Sequence, residues 1–160
     1  MSLIEESPKP APNWRVAYCA GYFDGEGGIW VGIQNRKSYY LRISIASADY
    51  ETLLLFEELF GVEVTPVKAS SSRKEIFRWS KNSNDAVKTL LQFLPFLTAK
   101  REQAQLVIDH GWEIIERGTS LSVERNDKRN ALRQALQEAK QKGLKSRANI
   151  PGASAFASGA

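Results

Sequence analysis

Two hydrophobic periods alternate along the chain. From Asn13, an N-cap residue type, Trp14, Ala17, Tyr18 and Gly21 recur at helical spacing as far as the glycines at 25–28, which predicts a first helix. The period then changes to two. Ile29, Val31 and Ile33 alternate with Trp30, Gly32 and Gln34, and Leu41, Ile43 and Ile45 alternate with Arg42, Ser44 and Ala46. Alternation on both sides of residues 35–38 predicts a β-hairpin with one apolar and one polar face. Helical spacing returns after Asp49, with Leu53, Leu54, Phe56, Leu59 and Phe60 leading to a stop at Gly61. A second strand pair is expected over 62–69 and 74–80, with Phe77 and Trp79 on one face and Ile76, Arg78 and Ser80 on the other. Further helices are expected at 83–94 (stopped by Pro95), 98–116 and 124–142.

The order α-β-β-α-β-β-α-α-α predicts an α+β fold. Its α-β-β-α-β-β-α core places helices on one face of a four-stranded antiparallel sheet, and C-terminal helices follow. The opposite face is polar, aromatic and basic, and an antiparallel sheet can leave one face in water. Residues 1–12 read as a flexible lead-in and 148–160 as a tail of small residues.

Composition narrows the classes. A chain of 160 residues, 42% hydrophobic and 25% charged, suits a single domain with one ordinary core. Its longest apolar stretches, 52–56 and 90–97, fall short of the roughly 18–20 residues of a membrane span, so no membrane role is expected. The acidic, proline-bearing start is unlike a secretory signal. A single cysteine, Cys19, excludes an internal disulfide and suggests a reducing intracellular setting, cytoplasm or organelle. A single histidine, His110, argues against histidine-rich metal sites and triad catalysis. Carboxylates, lysine and a hard metal ion remain. The net charge of +4 is unevenly spread: residues 117–147 carry +6 and the rest −2. Basic side chains also gather in the expected strands, at Arg36, Lys37, Arg42, Lys68, Arg73, Lys74, Arg78 and Lys81. That distribution favours a polyanionic partner, although solvated surface charge gives similar patterns and names no ligand.

Residues 19–27 read Cys-Ala-Gly-Tyr-Phe-Asp-Gly-Glu-Gly. Ala17, Ala20 and Gly21 leave a helix surface nearly bare, so a second backbone can come close. Asp24 and Glu26 stand two apart among Gly25, Gly27 and Gly28, just before a strand. A carboxylate fixed there beside a backbone carbonyl suits an oxygen-preferring ion such as Mg²⁺. A glycine-rich helix stop with solvated acids fits the same residues.

The segment resembles the nine-residue motif of the LAGLIDADG homing endonuclease family. Ala20, Gly21, Asp24 and Gly27 are identical to it, Glu26 is an acid the family often uses, and Cys19 and Tyr22 depart from its usual apolar residues. The resemblance extends over residues 13–117. Ile45-Ala46-Ser47-Ala48-Asp49 is similar to the family's entry into its second helix. Pro95-Phe96-Leu97-Thr98-Ala99-Lys100-Arg101-Glu102-Gln103-Ala104 looks like the start of a later one. The implied domains are this core, a basic helical segment at 118–147 and the two flexible ends.

The resemblance implies a site-specific double-strand DNA endonuclease that uses divalent metal. Glu26 would be the metal-binding acid and the Gly25 carbonyl a second ligand. Lys100 would be the catalytic basic residue near the scissile phosphate, stabilising developing charge or polarising a water, and Ser47 would stand where many members order water with a glutamine. Asp24 would be structural. One motif per chain implies a homodimer joined through Ala17, Ala20, Gly21 and Asp24, with two copies of Glu26 side by side. The saddle-shaped polar face would read double-stranded DNA through Trp30, Gln34, Arg36, Ser38, Tyr40, Arg42, Ser44, Lys68, Ser70, Arg73, Lys74, Arg78 and Ser80, residue types suited to base edges and phosphates in a major groove. A nine-residue strand spans roughly 30 Å, so two subunits would cover on the order of twenty base pairs of a partly palindromic site. The alternative is a catalytically silent relative, an RNA-splicing cofactor (maturase) or a DNA-binding protein. A basic interaction module with a coincidental motif is a further one, and it predicts a monomer.

Overall fold

A computed structural model of the chain describes residues 13–34, 38–68, 74–111 and 123–148. The expected lead-in 1–12, the tail from residue 149 and the later part of the expected 98–116 helix lie outside the described residues. The chain runs through α1 (Trp14–Glu26), β1 (Gly28–Gln34), β2 (Ser38–Ser47), α2 (Tyr50–Phe60), β3 (Thr65–Val67), β4 (Ile76–Asn82), α3 (Ser83–Phe93), α4 (Arg101–His110) and α5 (Val123–Ala148). A 3₁₀ turn, Leu94–Phe96, ends α3 at Pro95. None of the helices described is long and apolar enough to cross a membrane.

The four strands form one antiparallel sheet in the order β1-β2-β4-β3. Period two dictates what each face carries. Ile29, Val31, Leu41, Ile43, Ile45 and Trp79 are buried against Cys19, Ala20 and Phe23 of α1, Leu53 and Phe56 of α2, and Leu90 and Phe93 of α3. The Trp79 indole N–H donates to the Gly61 carbonyl at 2.9 Å, so its polar atom enters the core satisfied. Asp49 caps α2, accepting from the Thr52 N–H at 3.1 Å and the Thr52 hydroxyl at 2.7 Å.

Four expectations need correcting. Ile33 has the apolar parity but is 39% exposed, because it stands near the hairpin end opposite Tyr39 rather than over the helices. The strand expected at 62–69 shrinks to three residues: Gly61 and Val62 both take φ of 71°, turning the chain before it can pair, and Pro66 has no N–H to give the ladder. α4 begins at Arg101 rather than 98. α5 continues to Ala148, past the expected end at 142.

α5 buries a narrow stripe of Arg129, Leu132, Leu136 and Ala139 and lies against α4 and β1. Asn130 accepts from the Tyr39 hydroxyl at 2.7 Å, and ten residues on, the Lys140 ammonium donates to the Ile29 carbonyl at 2.5 Å. The helix therefore runs alongside β1, the edge strand, and covers an edge that would otherwise offer unpaired backbone groups.

Candidate functional site

The motif helix exits directly into the sheet. Gly27 N–H donates to Phe23 O at 2.8 Å to close α1, and β1 starts at the next residue. A Cβ on Gly27 would sit 2.3 Å from the Phe23 ring, and one on Gly28 would sit 2.2 Å from the Trp30 ring. Glycine is needed at both positions so that a core ring and a polar-face ring can close over the helix exit.

Asp24 fixes the next element. Its carboxylate accepts the backbone N–H groups of Thr98 (3.0 Å), Ala99 (2.9 Å) and Lys100 (2.7 Å). These donors lead into α4 and explain its late start. In return the Lys100 ammonium donates to the Asp24 carbonyl, at the helix end where the macrodipole favours a cation. Partial burial works against the Asp24 charge. The N–H donors of Ala99, Lys100 and Thr98, helped by the Lys100 charge, outweigh it and hold the carboxyl below the usual aspartate range.

A lowered folded pKa gives stability that is present above the ordinary aspartate value of about 3.9 and is lost as pH falls through the folded value. Asp24→Ala is expected to cost about 1 kcal/mol, the lower part of the capping range because the carboxylate is partly solvated. In urea melts, the gap between wild type and Asp24→Asn should be present at pH 7 and narrow as pH falls below 4. A gap independent of pH would contradict the assigned charge.

Glu26 is exposed at the last position of α1 and opens onto the polar face of the sheet. It lines one hollow with Trp30, Tyr40, Arg42, Ser44, Ala46 and Arg78. Arg42 is held from two sides: its Nε donates to Asn82 Oδ1 at 3.0 Å, and its guanidinium lies 5.4 Å from the Tyr40 ring centre. Ser44 faces this side but is only 7% exposed. The hollow thus sets a carboxylate beside two arginines and two exposed aromatic rings. The Glu26 carboxylate and the Gly25 carbonyl, one of the last carbonyls of a helix and so without an intrahelical partner, are hard oxygen donors of the kind Mg²⁺ prefers. Among the described residues no cluster of three or more acids, histidines or cysteines could hold a metal within one chain.

The other expected site residues divide. Ser80 is half-buried and pairs with Ser44 on the same face. Lys68, just after the edge strand β3, and Lys74, just before the inner strand β4, are both exposed. Gln34 and Ser38 pair at the hairpin end, but their side chains, with Arg36, Ser70 and Arg73, lie outside the described residues. Ser47 does not line the hollow. Its hydroxyl accepts from Asp49 N–H at 3.0 Å and shares a 2.8 Å hydrogen bond with the Tyr22 hydroxyl, which ties it to the α2 entry instead of to water over Glu26. Ala20 also departs from expectation: it is fully buried in the core of its own chain. The exposed face of α1 carries Trp14, Tyr18, Gly21 and Gly25, with Ala17 half-buried beside them, and a Cβ on Gly21 would meet no atom within 4 Å. Burial pushes the Cys19 thiol up to about 12, so it is no nucleophile.

Two contacts near the hollow escaped the sequence reading. Asn82 was an unremarked strand end, and Lys140 was one positive charge among nine over residues 117–147. Only three-dimensional pairing, across 40 residues for Arg42–Asn82 and 111 for Lys140–Ile29, brings them to the site.

A motif helix running into a four-stranded saddle with a carboxylate at the junction defines a class, and residues 19–108 match the family model described as LAGLIDADG endonuclease. The chain belongs to that family. Its fold is similar to that of the homing endonuclease I-CvuI in complex with the I-CreI target in the presence of 2 mM Mg, with the DNA not cleaved (TM-score 0.62, 16% identity, 86% of this chain and 97% of that one). It is also similar to the archaeal intron-encoded homing endonuclease I-Vdi141I complexed with DNA (TM-score 0.65, 16% identity, 81% and 86%). A third similar structure is the homing endonuclease I-TnaI (TM-score 0.54, 20% identity, 82% and 96%). No curated protein matches the sequence significantly.

Proposed function

We propose that the protein is a divalent-metal-dependent, site-specific double-strand DNA endonuclease that acts as a homodimer. The observation carrying this reading is the exposed Glu26 carboxylate at the foot of a polar, arginine-bearing sheet face, with the Lys100 ammonium bound two residues away at the Asp24 carbonyl. Family membership and the DNA-bound relatives of similar fold support it.

The residues divide the work. Arg42 and Arg78, with Trp30 and Tyr40, face a duplex laid along the sheet, where guanidinium groups suit guanine edges or phosphates. The ten residues of β2 span roughly 33 Å, enough for about ten base-pair steps per subunit. Glu26 and the Gly25 carbonyl would hold Mg²⁺, which when bound neutralises phosphate charge and supports attack by water. Lys100 is anchored to backbone and so supplies a fixed cation for the negative charge that builds up on the cut phosphate. One carboxylate per chain is a half-site. The exposed face of α1, with bare Gly21 and Gly25 between Trp14 and Tyr18, is suited to meeting its own copy and bringing two Glu26 side chains together.

The test is cleavage of a randomised duplex library, with the cut ends sequenced. Mg²⁺ should yield double-strand cuts within one partly palindromic sequence of about twenty base pairs, and chelation with EDTA should abolish them. Binding to duplex DNA without any cut in Mg²⁺ would favour the silent relative and overturn the nuclease reading.

A further inference from the structure

α5 carries Lys140 to the same corner as Lys100. The Lys140 ammonium donates to the Ile29 carbonyl at 2.5 Å and stands 5.5 Å from the centre of the Trp30 ring, which itself lines the hollow with Glu26. Lys100 is bound to the Asp24 carbonyl on the other side of the glycine exit. Two ammonium groups thus flank residues 25–28, one from the residue before α4 and one from α5. Burial first, and the Lys100 charge second, hold the Lys140 pKa below the usual lysine range.

Edge covering alone does not account for this arrangement. The stripe of Leu132, Leu136 and Ala139 already buries α5, and any donor could satisfy one strand carbonyl. A lysine there is half desolvated and faces a like charge, both unfavourable in the isolated protein. Lys142, two residues on, shows the ordinary alternative, an exposed pair with Glu102 at 3.3 Å. Two cations converging beside an exposed carboxylate are relieved when a polyanion lies between them. A lysine giving one N–H to a carbonyl still has two to offer.

We infer that Lys140 is a second cation of the cleavage site, placed with Lys100 to hold the phosphate that is cut. The inference rests on the nuclease reading above and adds a residue from outside the motif and outside residues 19–108.

Lys140→Met tests it, because methionine keeps an apolar stem over Trp30 while removing the charge. Lys140→Arg restores the charge. Lys88→Met, at an exposed position of α3 behind the sheet, is the control. In metal-free buffer with a plasmid duplex, Lys140→Met should lower the slope of log K against log salt by about 0.9 per subunit, and the control should not. On the selected target in Mg²⁺, the single-turnover rate of saturated Lys140→Met should fall about 100-fold, as for loss of one charge-stabilising donor, with arginine recovering most of it. Melting temperature should stay within a few degrees, since a structural tie alone would move melting and leave the slope unchanged. An unchanged slope overturns the inference. So does a lowered slope with a rate within threefold of wild type, which would put Lys140 on another phosphate. If wild type binds duplex but never cuts, the nuclease reading fails, and the salt slope still decides whether Lys140 meets phosphate.

Discussion

Glu26→Gln should leave a protein that folds and binds its target but cuts it about 10³-fold more slowly or not at all. The side chain is exposed at the last residue of α1, so the change opens no cavity and strands no buried partner. A carboxylate at a helix C-terminus also lies at the negative end of the macrodipole, where its charge is unfavourable. Neutralising it should hold or slightly raise the melting temperature. Binding should hold or tighten as well, because a negative charge beside the phosphates is removed. The cost falls on cleavage alone: glutamine keeps the shape and one oxygen, but a neutral amide is a much weaker ligand for a hard dication than a carboxylate. The measurement is single-turnover cleavage in Mg²⁺, with binding measured in parallel in Ca²⁺. Cleavage within tenfold of wild type would remove Glu26 from the centre of the proposed mechanism.

The place of Glu26 at the helix exit was legible in the sequence because local chemistry fixes it. Glycines on both sides, a helix before and a period-two run after leave few places for the chain to go. The apolar face of the hairpin was legible too, since Ile29, Val31, Leu41, Ile43 and Ile45 share one parity and a slip of one residue would expose them all. What sequence could not supply was the use of polar atoms over long range. An aspartate caps whatever N–H groups the fold brings to it, and here the fold points Asp24 at residues 98–100 and delays α4. Ser47 was aligned by position to a water-ordering role, yet its oxygen is engaged by Tyr22 and by the Asp49 N–H. Lys140 differs from the other lysines of α5 only in which way the helix turns it. That is fixed by the burial of Leu132, Leu136 and Ala139, and nothing in the local charge pattern marks it. Ala20 shows the same limit, because a small residue on a helix suits a close neighbour without saying whether that neighbour is its own core or another chain.

Gly21 separates those two possibilities, and Gly21→Leu is expected to dissociate the proposed dimer while stabilising the monomer. Within one chain a Cβ at this position meets no atom within 4 Å, and the residue sits in a regular helix. Replacing a mid-helix glycine by leucine should therefore favour the protomer by roughly 0.5–1 kcal/mol through helix propensity. If α1 meets its copy across Gly21, each new isobutyl group must enter a contact sized for hydrogen, and twofold symmetry imposes the clash twice. At about 1–3 kcal/mol per inserted side chain, dimer affinity should fall about 100-fold or more. Sedimentation velocity should show monomers at micromolar concentration where wild type shows dimers. Double-strand cutting should disappear with them, because each monomer would hold one half-site. The milder Gly21→Ala should give an intermediate shift, since a methyl group demands less room. A Gly21→Leu protein that sediments as a dimer and cuts as wild type would place the interface elsewhere. A Gly21→Leu protein that melts well below wild type at concentrations where both are monomeric would show instead that the bare face of α1 serves its own chain.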